Sequence, residues 1–114
     1  MEIRLIVIRT NNQRRLVDFY SLLGLKFQFH KHNNSPFHYS ATIGSLAFEI
    51  YPLSKNQLET VQNLRLGFAI ENFEETLKLL EDNNITISKP ELTNFGFLTV
   101  VSDPDGRKIE LYKK

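Results

Sequence analysis

Four segments in the first half of the chain have the hydrophobic patterns of β-strands. In three of them apolar and polar side chains alternate with the period of two that a half-buried strand requires, and the first is rich in leucine and β-branched residues. The four predicted strands are Glu2–Arg9, Leu25–His32, Phe37–Ile43 and Leu46–Tyr51. This alternation divides the side chains of each strand between an apolar face and a more polar face of a sheet.

A single helix is predicted between the first two of these strands. Its apolar positions have the i, i+3, i+4, i+7 spacing that forms one buried helix face, and they are Leu16, Phe19, Tyr20 and Leu23. Asn11 and Asn12 precede the helix and can cap its first turn, and Gly24 follows where a left-handed cap is needed. The predicted order of elements is therefore strand, helix, strand, strand, strand.

The same order of elements is predicted in the second half of the chain. Its helix follows Asn72, which with Glu75 resembles a capping box. The buried face of this helix consists of Phe73, Leu77 and Leu80. The segment from Asp103 to Gly106 has the composition of a turn, because Pro104 fixes φ and glycine tolerates a positive φ. The predicted strands are Arg65–Ile70, Ile85–Ser88, Phe95–Ser102 and Lys108–Tyr112.

The two halves repeat each other. A shift of 60 residues superimposes the first strand and helix on their counterparts, and a shift of 61 superimposes Phe48–Tyr51 on Ile109–Tyr112. This repeat predicts an α+β fold of two βαβββ modules within a single domain, 1–114. The modules are residues 1–53 and 65–114, and the polar, aperiodic stretch 54–64 is the predicted linker.

Each predicted module covers only one face of its sheet with a helix. The other face must then meet a second module, and the space between the two becomes a predicted cleft. Glu49 and Glu110 occupy equivalent positions in the final strands of the two modules. By strand alternation both lie on the face opposite the helix, so both are expected in the cleft.

Composition and charge narrow the classes of function. The chain has 14 basic and 13 acidic side chains, so no basic excess supports binding to nucleic acid. The absence of cysteine excludes disulfides, thiol catalysis and thiolate metal sites. No apolar run approaches the ~20 residues that span a bilayer, and no signal peptide is visible. We therefore expect a cytoplasmic protein with neither a nucleic acid nor a membrane as its partner.

Three motifs resemble the vicinal oxygen chelate superfamily, which includes glyoxalase I, bleomycin resistance proteins and extradiol dioxygenases. They are Val17–Tyr20 followed by Leu23–Leu25, Phe68–Asn72, and Ser102–Leu111 with its Asp-Pro-Asp-Gly turn and Glu-Leu ending. The resemblance spans essentially the whole chain and implies a glyoxalase/bleomycin resistance/dihydroxybiphenyl dioxygenase-like fold. It leaves the reaction open, because one fold hosts many functions.

The resemblance also implies where a metal ion would bind. In metal-dependent relatives the first and fourth strands of each module supply ligands, and the matching positions are Leu5, Glu49, Arg65 and Glu110. Leu5 has no donor atom and Arg65 is a fixed cation, so only two carboxylates remain. We therefore expect no resident metal ion. The alternative is a divalent ion on Glu49 and Glu110, with His30 or His38 as an extra ligand.

Two carboxylates facing one cleft repel each other unless a cation intervenes. Arg65 is the candidate cation, because its planar guanidinium can bind carboxylates bidentately. A structural salt bridge, a ligand-binding Arg–Glu cluster and a functioning metal site all stay open as interpretations of Glu49, Arg65 and Glu110.

Three histidines flank one predicted hairpin turn. His30 and His32 point the same way along the second strand, and His38 begins the third. Neutral imidazoles at this spacing can bind Zn²⁺ or Ni²⁺, alone or with Glu49. The sequence favours the other interpretation, in which the three side chains are solvated near a hairpin tip and bind nothing.

The favoured function is that of a small-molecule-binding protein resembling the bleomycin resistance branch, with a degraded metal site, that sequesters its ligand in the cleft. The predicted lining is Leu5, Val7, Arg9, Glu49, Tyr51, Arg65, Glu110 and Tyr112. The alternatives are a metal-dependent glyoxalase-like lyase, isomerase or dioxygenase, and a non-catalytic dimeric interaction domain, so enzymatic activity is left open. The resemblance also implies a homodimer for a chain of this length.

Overall fold

The computed structural model describes all 114 residues, Met1–Lys114, and contains eight strands and two helices. The elements are β1 (Leu5–Thr10), α1 (Gln13–Leu22), β2 (Gln28–His30), β3 (His38–Ile43), β4 (Leu46–Pro52), β5 (Leu66–Ile70), α2 (Phe73–Asp82), β6 (Glu91–Thr93), β7 (Gly96–Ser102) and β8 (Lys108–Lys113). They form two compact units, Met1–Val61 and Gln62–Lys114. Neither helix is long and apolar enough to cross a membrane.

Each unit holds one four-stranded mixed sheet, in the order β1-β4-β3-β2 or β5-β8-β7-β6. The first and last strands of each unit pair in parallel, and the other neighbours pair antiparallel. The internal repeat extends to the register, since Val7 lies opposite Glu49 and Gly67 lies opposite Glu110. The predicted α+β fold of two βαβββ modules is therefore confirmed.

The core of the first unit lies between α1 and one face of its sheet. The helix begins as predicted, because the Asn12 side chain accepts a hydrogen bond from the Arg15 N–H at 3.2 Å. After it, Gly24 has a φ of 104°, which permits the turn back to the sheet. The fully buried core side chains are Leu16, Tyr20, Phe48 and Ile50. The rings of Tyr20 and Phe48 lie 5.1 Å apart, so the aromatic contact ties the helix to β4.

The second unit packs α2 on its sheet in the same way, but its helix starts differently from the prediction. The core side chains are Phe73, Leu80, Ile109 and Leu111. The predicted capping box is wrong, because the Asn72 side chain makes no capping hydrogen bond. Only its backbone carbonyl engages the helix, accepting from the Thr76 N–H at 2.9 Å. The carboxylates of Glu74 and Glu75 lie in the first turn, where they interact favourably with the helix dipole.

The segment before β7 also departs from the predicted elements. Ile85–Ser88 is not a strand, and Ile87 makes only an isolated bridge to Val101. Pro90 lies two residues after this segment and has no N–H to continue a ladder. The second strand of this module is instead β6, which was not predicted and is only three residues long.

A buried ion-pair cluster fixes the turn that leads into β8. Gly106 has a φ of 93°, and its N–H donates to the Asp103 carbonyl at 2.9 Å, as the turn composition predicts. The Arg107 side chain is only 1% exposed and donates to Asp103 Oδ2 at 3.1 Å and Asp105 Oδ2 at 2.9 Å. Burial alone lowers the pKa of Arg107, but the hydrogen bonds to Asp105 and Asp103 outweigh it and raise the pKa. The guanidinium therefore stays charged in the protein interior.

We predict that Arg107→Met lowers the free energy of unfolding by about 3–5 kcal/mol, because it leaves the buried Asp103 carboxylate without its cation. Urea denaturation followed by circular dichroism measures this loss. The matched control is Arg65→Met, which removes the same side chain from a pair whose arginine is 60% exposed. The control should cost no more than about 1 kcal/mol, and equal losses in the two variants would contradict the prediction.

Candidate functional site

The candidate site residues lie on the sheet faces that point away from the helices. We call these the first open face, on the sheet of β1–β4, and the second open face, on the sheet of β5–β8. Alternation along β1 and β4 places Leu5, Val7, Arg9, Glu49 and Tyr51 on the first open face. Alternation along β8 places Glu110 and Tyr112 on the second, and Arg65 contacts Glu110 there from just before β5.

On the second open face, Glu110 accepts two short hydrogen bonds. Arg65 Nη2 donates to Glu110 Oε2 at 2.6 Å, and the Tyr112 O–H donates to Glu110 Oε1 at 2.6 Å. The salt bridge between Arg65 and Glu110, one of the alternatives that the sequence left open, is therefore present in this unit. The role of Tyr112 as the second donor was not anticipated, although its position two residues after Glu110 on the same strand already put the two side chains on one face.

This network changes the acid–base behaviour of Tyr112. The pKa of Tyr112 is raised, first by the hydrogen bond that its hydroxyl donates to Glu110, then by burial and by the charge of Glu110, while the charge of Arg65 opposes the rise. The ring lies close to β5 because residue 67 is glycine. A Cβ at Gly67 would stand 3.1 Å from Tyr112 Cε1, tighter than most real contacts. The absence of a side chain at Gly67 therefore leaves room for the Tyr112 ring.

The four positions that match the ligands of metal-dependent relatives do not fit a metal ion. Leu5 offers only carbon atoms, and Arg65 brings a positive charge. Both oxygens of Glu110 already accept hydrogen bonds, from Arg65 and Tyr112. Glu49 is then the one carboxylate of the set without an arginine partner, and a lone carboxylate is a poor site for a divalent ion.

On the first open face, three flat side chains stack in a row. The guanidinium carbon of Arg9 lies 4.9 Å from the centre of the Tyr51 ring, a cation–π distance. The ring of Tyr51 lies 4.1 Å from that of His38, with an angle of 11° between their planes. Arg9 Nη1 also donates to the Pro52 carbonyl at 3.1 Å, which holds the guanidinium in place.

The three histidines meet at one end of the first open face. A nitrogen from each of His30, His32 and His38 lies within 4.8 Å of the nitrogens of the other two. His38 is fully buried, so the expectation of three solvated imidazoles is wrong for this residue. Its burial follows from its place in the β2–β3–β4 sheet, with Tyr51 stacked on its ring and His30 directly opposite in the ladder. Glu49 Oε2 lies 3.8 Å from His38 Nε2.

An open pocket of about 320 Å³ lies beside His30 within the first unit. It is lined by Gly24, Lys26, Gln28, His30, Ser40, Ala41 and Thr42. Gln28 and Ser40 were not among the predicted site residues, yet the alternation that places His30 on the open face also places these two there, directly opposite each other. Their polar groups and Lys26 give the pocket a hydrophilic wall.

We predict that the pKa of Tyr112 responds in opposite directions to its two neighbours. Glu110→Gln should lower it, because the charged acceptor is lost, and Arg65→Met should raise it further, because the opposing positive charge is lost. Titration by ¹³C NMR of labelled tyrosine rings, assigned with Tyr112→Phe, measures both shifts. Exposed Glu81 on α2 supplies the control Glu81→Gln, which should shift nothing.

The same raised pKa links Tyr112 to folding stability at alkaline pH. The contribution of its hydrogen bond is fully present below the pKa of an unfolded tyrosine and is lost as the pH rises through the raised value in the folded state. The stability difference between the unmodified protein and Tyr112→Phe should therefore shrink in that range. A difference that stays constant through the titration of Tyr112 would contradict the hydrogen bond to Glu110.

Several solved structures share this fold at low sequence identity. The oxidase ChaP-H2 aligns over 100% of this chain and 94% of its own, with 10% identity and a TM-score of 0.80. TnmS3, an antibiotic binding protein from Streptomyces sp. CB03234, aligns over 99% and 95%, with 17% identity and a TM-score of 0.77. A glyoxalase family protein from Enterococcus faecalis aligns over 98% and 97%, with 23% identity and a TM-score of 0.68. At these identities the likeness establishes the fold alone.

A search of curated proteins finds no significant match. The family model described as Glyoxalase/Bleomycin resistance protein/Dioxygenase superfamily matches residues 2–111, nearly the whole chain. This match agrees with the two βαβββ units and with the fold of the similar structures. The chain therefore belongs to the glyoxalase/bleomycin resistance protein/dioxygenase superfamily.

Proposed function

We propose that this protein binds a small organic molecule without a metal ion at the position where metal-dependent relatives hold one. The observation that carries the proposal is the network of Arg65, Glu110 and Tyr112 on the second open face, in which Arg65 and Glu110 are two of the four residues that match those metal ligands. A guanidinium, a carboxylate and a phenol ring held by short hydrogen bonds form a fixed set of polar groups. Such a set orients a ligand and does not need to rearrange when the ligand arrives.

The chemistry of this network favours an aromatic ligand that carries oxygen acceptors. Arg65 has five N–H donors and a side chain that is 60% exposed, so it can donate to a carboxylate, carbonyl or phenolate oxygen of a ligand. The partly exposed ring of Tyr112, which lies over Gly67, offers a flat surface for stacking. TnmS3 is an antibiotic binding protein with this fold, which supports the idea that the fold can serve as a binder.

Binding without conversion distinguishes this proposal from the metal-dependent alternative. A lyase, isomerase or dioxygenase of this family needs a metal ion to polarise its substrate, and the four matching positions supply no suitable ligand set. A non-catalytic interaction domain, the other alternative, requires no organic ligand. Ligand recovered unchanged after prolonged incubation supports the binder, and recovered product supports an enzyme.

We predict that aromatic acids and quinones raise the melting temperature of the metal-free protein. The probes are anthraquinone-2-carboxylate and 2-naphthoate, and naphthalene is the matched compound that lacks oxygen. A ligand that binds only the folded state stabilises it, and the stabilisation grows with the logarithm of the ligand concentration once that concentration exceeds Kd. Differential scanning fluorimetry measures the shift, and isothermal titration calorimetry measures the affinity.

A variant of Arg65 tests whether the probes bind to the second open face. Arg65→Met should weaken binding by about 10- to 100-fold, the loss expected when one hydrogen bond to a charged group disappears. Lys78→Met, which removes an exposed cation from α2, is the matched control and should leave the affinity unchanged. The proposal is wrong if oxygen-bearing probes and naphthalene give the same shift, or if Arg65→Met has no effect.

We also propose that the protein is a homodimer. Leu5 and Val7 on the first open face have exposed fractions of 54% and 37%, which is unusual for apolar strand residues. A closed two-fold dimer is the commonest way for a small protein to cover such residues. Light scattering at micromolar concentration should give twice the chain mass of 13.3 kDa.

The variant Val7→Glu should shift this dimer towards the monomer, because it places a charge on the face to be covered. Leu58→Glu makes the same change at a residue outside the strands that is 91% exposed, and it should leave the mass unchanged. A mass of one chain for the unmodified protein would refute the dimer.

A further inference from the structure

We propose that His30, His32 and His38 form a binding site for one divalent transition-metal ion of the zinc type, with Glu49 beside it. This site lies on the β2–β3 hairpin and on the open face of the first unit. None of its three histidines is at a position that matches a metal ligand of the relatives, and only the neighbouring Glu49 is. It goes beyond the proposed function, which uses no metal ion.

The three imidazole rings already have the spacing that a shared metal ion imposes. Their centres lie 4.5 Å apart for His30 and His32, 4.6 Å for His30 and His38, and 5.4 Å for His32 and His38. Three imidazoles on one tetrahedral zinc have ring centres about 5 Å apart, because each Zn–N bond is about 2.1 Å long and each ring centre lies about 1.2 Å beyond the nitrogen. Small changes of side-chain rotamer are therefore enough to bring the three nitrogens onto one ion.

The hydrogen bond that His38 makes through Nδ1 leaves its Nε2 atom available to bind a metal ion. Its Nδ1 lies 3.0 Å from the Pro36 carbonyl, and because a carbonyl can only accept, Nδ1 must carry the proton. In the neutral imidazole the lone pair is then on Nε2. A backbone carbonyl that fixes the second ring nitrogen in this way is the usual support of a metal-binding histidine.

Two of the imidazole nitrogens at the cluster are buried without a hydrogen-bond partner. They are His38 Nε2 and His30 Nε2, and the whole side chain of His38 is inaccessible to solvent. A buried polar atom that makes no hydrogen bond is costly, and proteins rarely keep one without a reason. A bound metal ion would satisfy both nitrogens at once.

The hairpin holds all three histidines through its backbone. His30 and His38 are directly opposite each other in the β2–β3 ladder, so their Cβ atoms stay close. His32 begins the turn, where its N–H donates to Ser35 Oγ at 2.9 Å and its carbonyl accepts from the Ser35 N–H at 2.7 Å. The positive φ of Asn33, 48°, completes this turn. The site is thus built on a fixed scaffold of strand pairing and turn hydrogen bonds.

The ligand set selects the class of ion. Imidazole nitrogens suit Zn²⁺, Co²⁺, Ni²⁺ and Cu²⁺, whereas Mg²⁺ and Ca²⁺ prefer oxygen ligands. Three neutral imidazoles do not balance the charge of a divalent ion, and Glu49, with Oε2 3.8 Å from His38 Nε2, supplies the nearby negative charge. His30 also lines the open pocket of about 320 Å³, which gives an ion a path from solvent.

Calorimetry and cobalt absorption test the site in the tag-free protein. After treatment with a chelator and dialysis, titration with ZnCl₂ should show one ion per chain with a Kd in the micromolar range or below. Co²⁺ should give the visible absorption bands of a four-coordinate nitrogen site, and MgCl₂ should give no heat. The chain contains only three histidines and no cysteine, so no other imidazole or thiol can produce this signal.

Substitutions identify the ligands. His32→Gln, at an exposed position that the fold tolerates, should weaken zinc binding by about 100-fold or more, and so should His30→Gln. His38→Gln tests the buried ligand, provided that circular dichroism shows the variant folded. Glu110→Gln should leave zinc binding unchanged, because Glu110 lies in the other unit and already has two hydrogen-bond donors.

Three outcomes would overturn the proposal. The first is no zinc binding tighter than millimolar, the second is binding that His30→Gln and His32→Gln leave unchanged, and the third is binding lost with Glu110→Gln. The organic probes bind or fail to bind in metal-free buffer whatever these results are, so failure of this site and failure of the proposed function are separate findings.

Discussion

The parallel pairing of the first and last strands in each unit determines the positions of nearly all the polar groups on the two open faces. It places β1 beside β4 and β5 beside β8 in the same register, with one helix covering one face of each sheet. Because strand side chains alternate, the apolar residues of these strands pack under the helix and the remaining ones face away from it. Glu49 and Glu110 therefore occupy equivalent positions on the two open faces, and the chemistry of each unit depends on what surrounds its carboxylate.

The surroundings of the two carboxylates differ in kind. Glu110 accepts from a guanidinium and a phenol, which satisfies both of its oxygens and makes the group a hydrogen-bond acceptor in a closed network. Glu49 lies next to the buried imidazole of His38 and has no arginine partner among the residues matching the metal ligands of relatives. Both units therefore have a glutamate at the equivalent position, but the residues around Glu49 and Glu110 differ. Because of this difference, the two units can bind different ligands.

Local pattern was enough to predict the fold, because alternation, helix spacing and the internal repeat all act over short stretches of sequence. The predictions that were wrong concern details that depend on one side chain or one missing N–H group. Asn72 is a residue type that caps helices, but its side chain makes no hydrogen bond to the helix. Pro90 interrupts the pairing with β7 between the isolated bridge of Ile87 and the start of β6 at Glu91. Arg107 was missed because a charged residue after a turn is normally exposed, and only the fold shows it enclosed by Asp103 and Asp105.

The sequence predicts which candidate site residues share a face of a sheet, because side chains alternate along a strand. Alternation placed Tyr112 and Glu110 together and put His30 and His38 on the side of Glu49, but it carries no information on burial. The burial of His38 arises from its stacking on Tyr51, and the guanidinium of Arg9 lies against the same ring. This row of flat groups depends on the pairing of β1 with β4, two strands far apart in sequence. A histidine that looks solvated in the sequence becomes a buried nitrogen without a hydrogen bond once those strands pair. That change in environment, more than the spacing of the histidines, gives the cluster the character of a metal site.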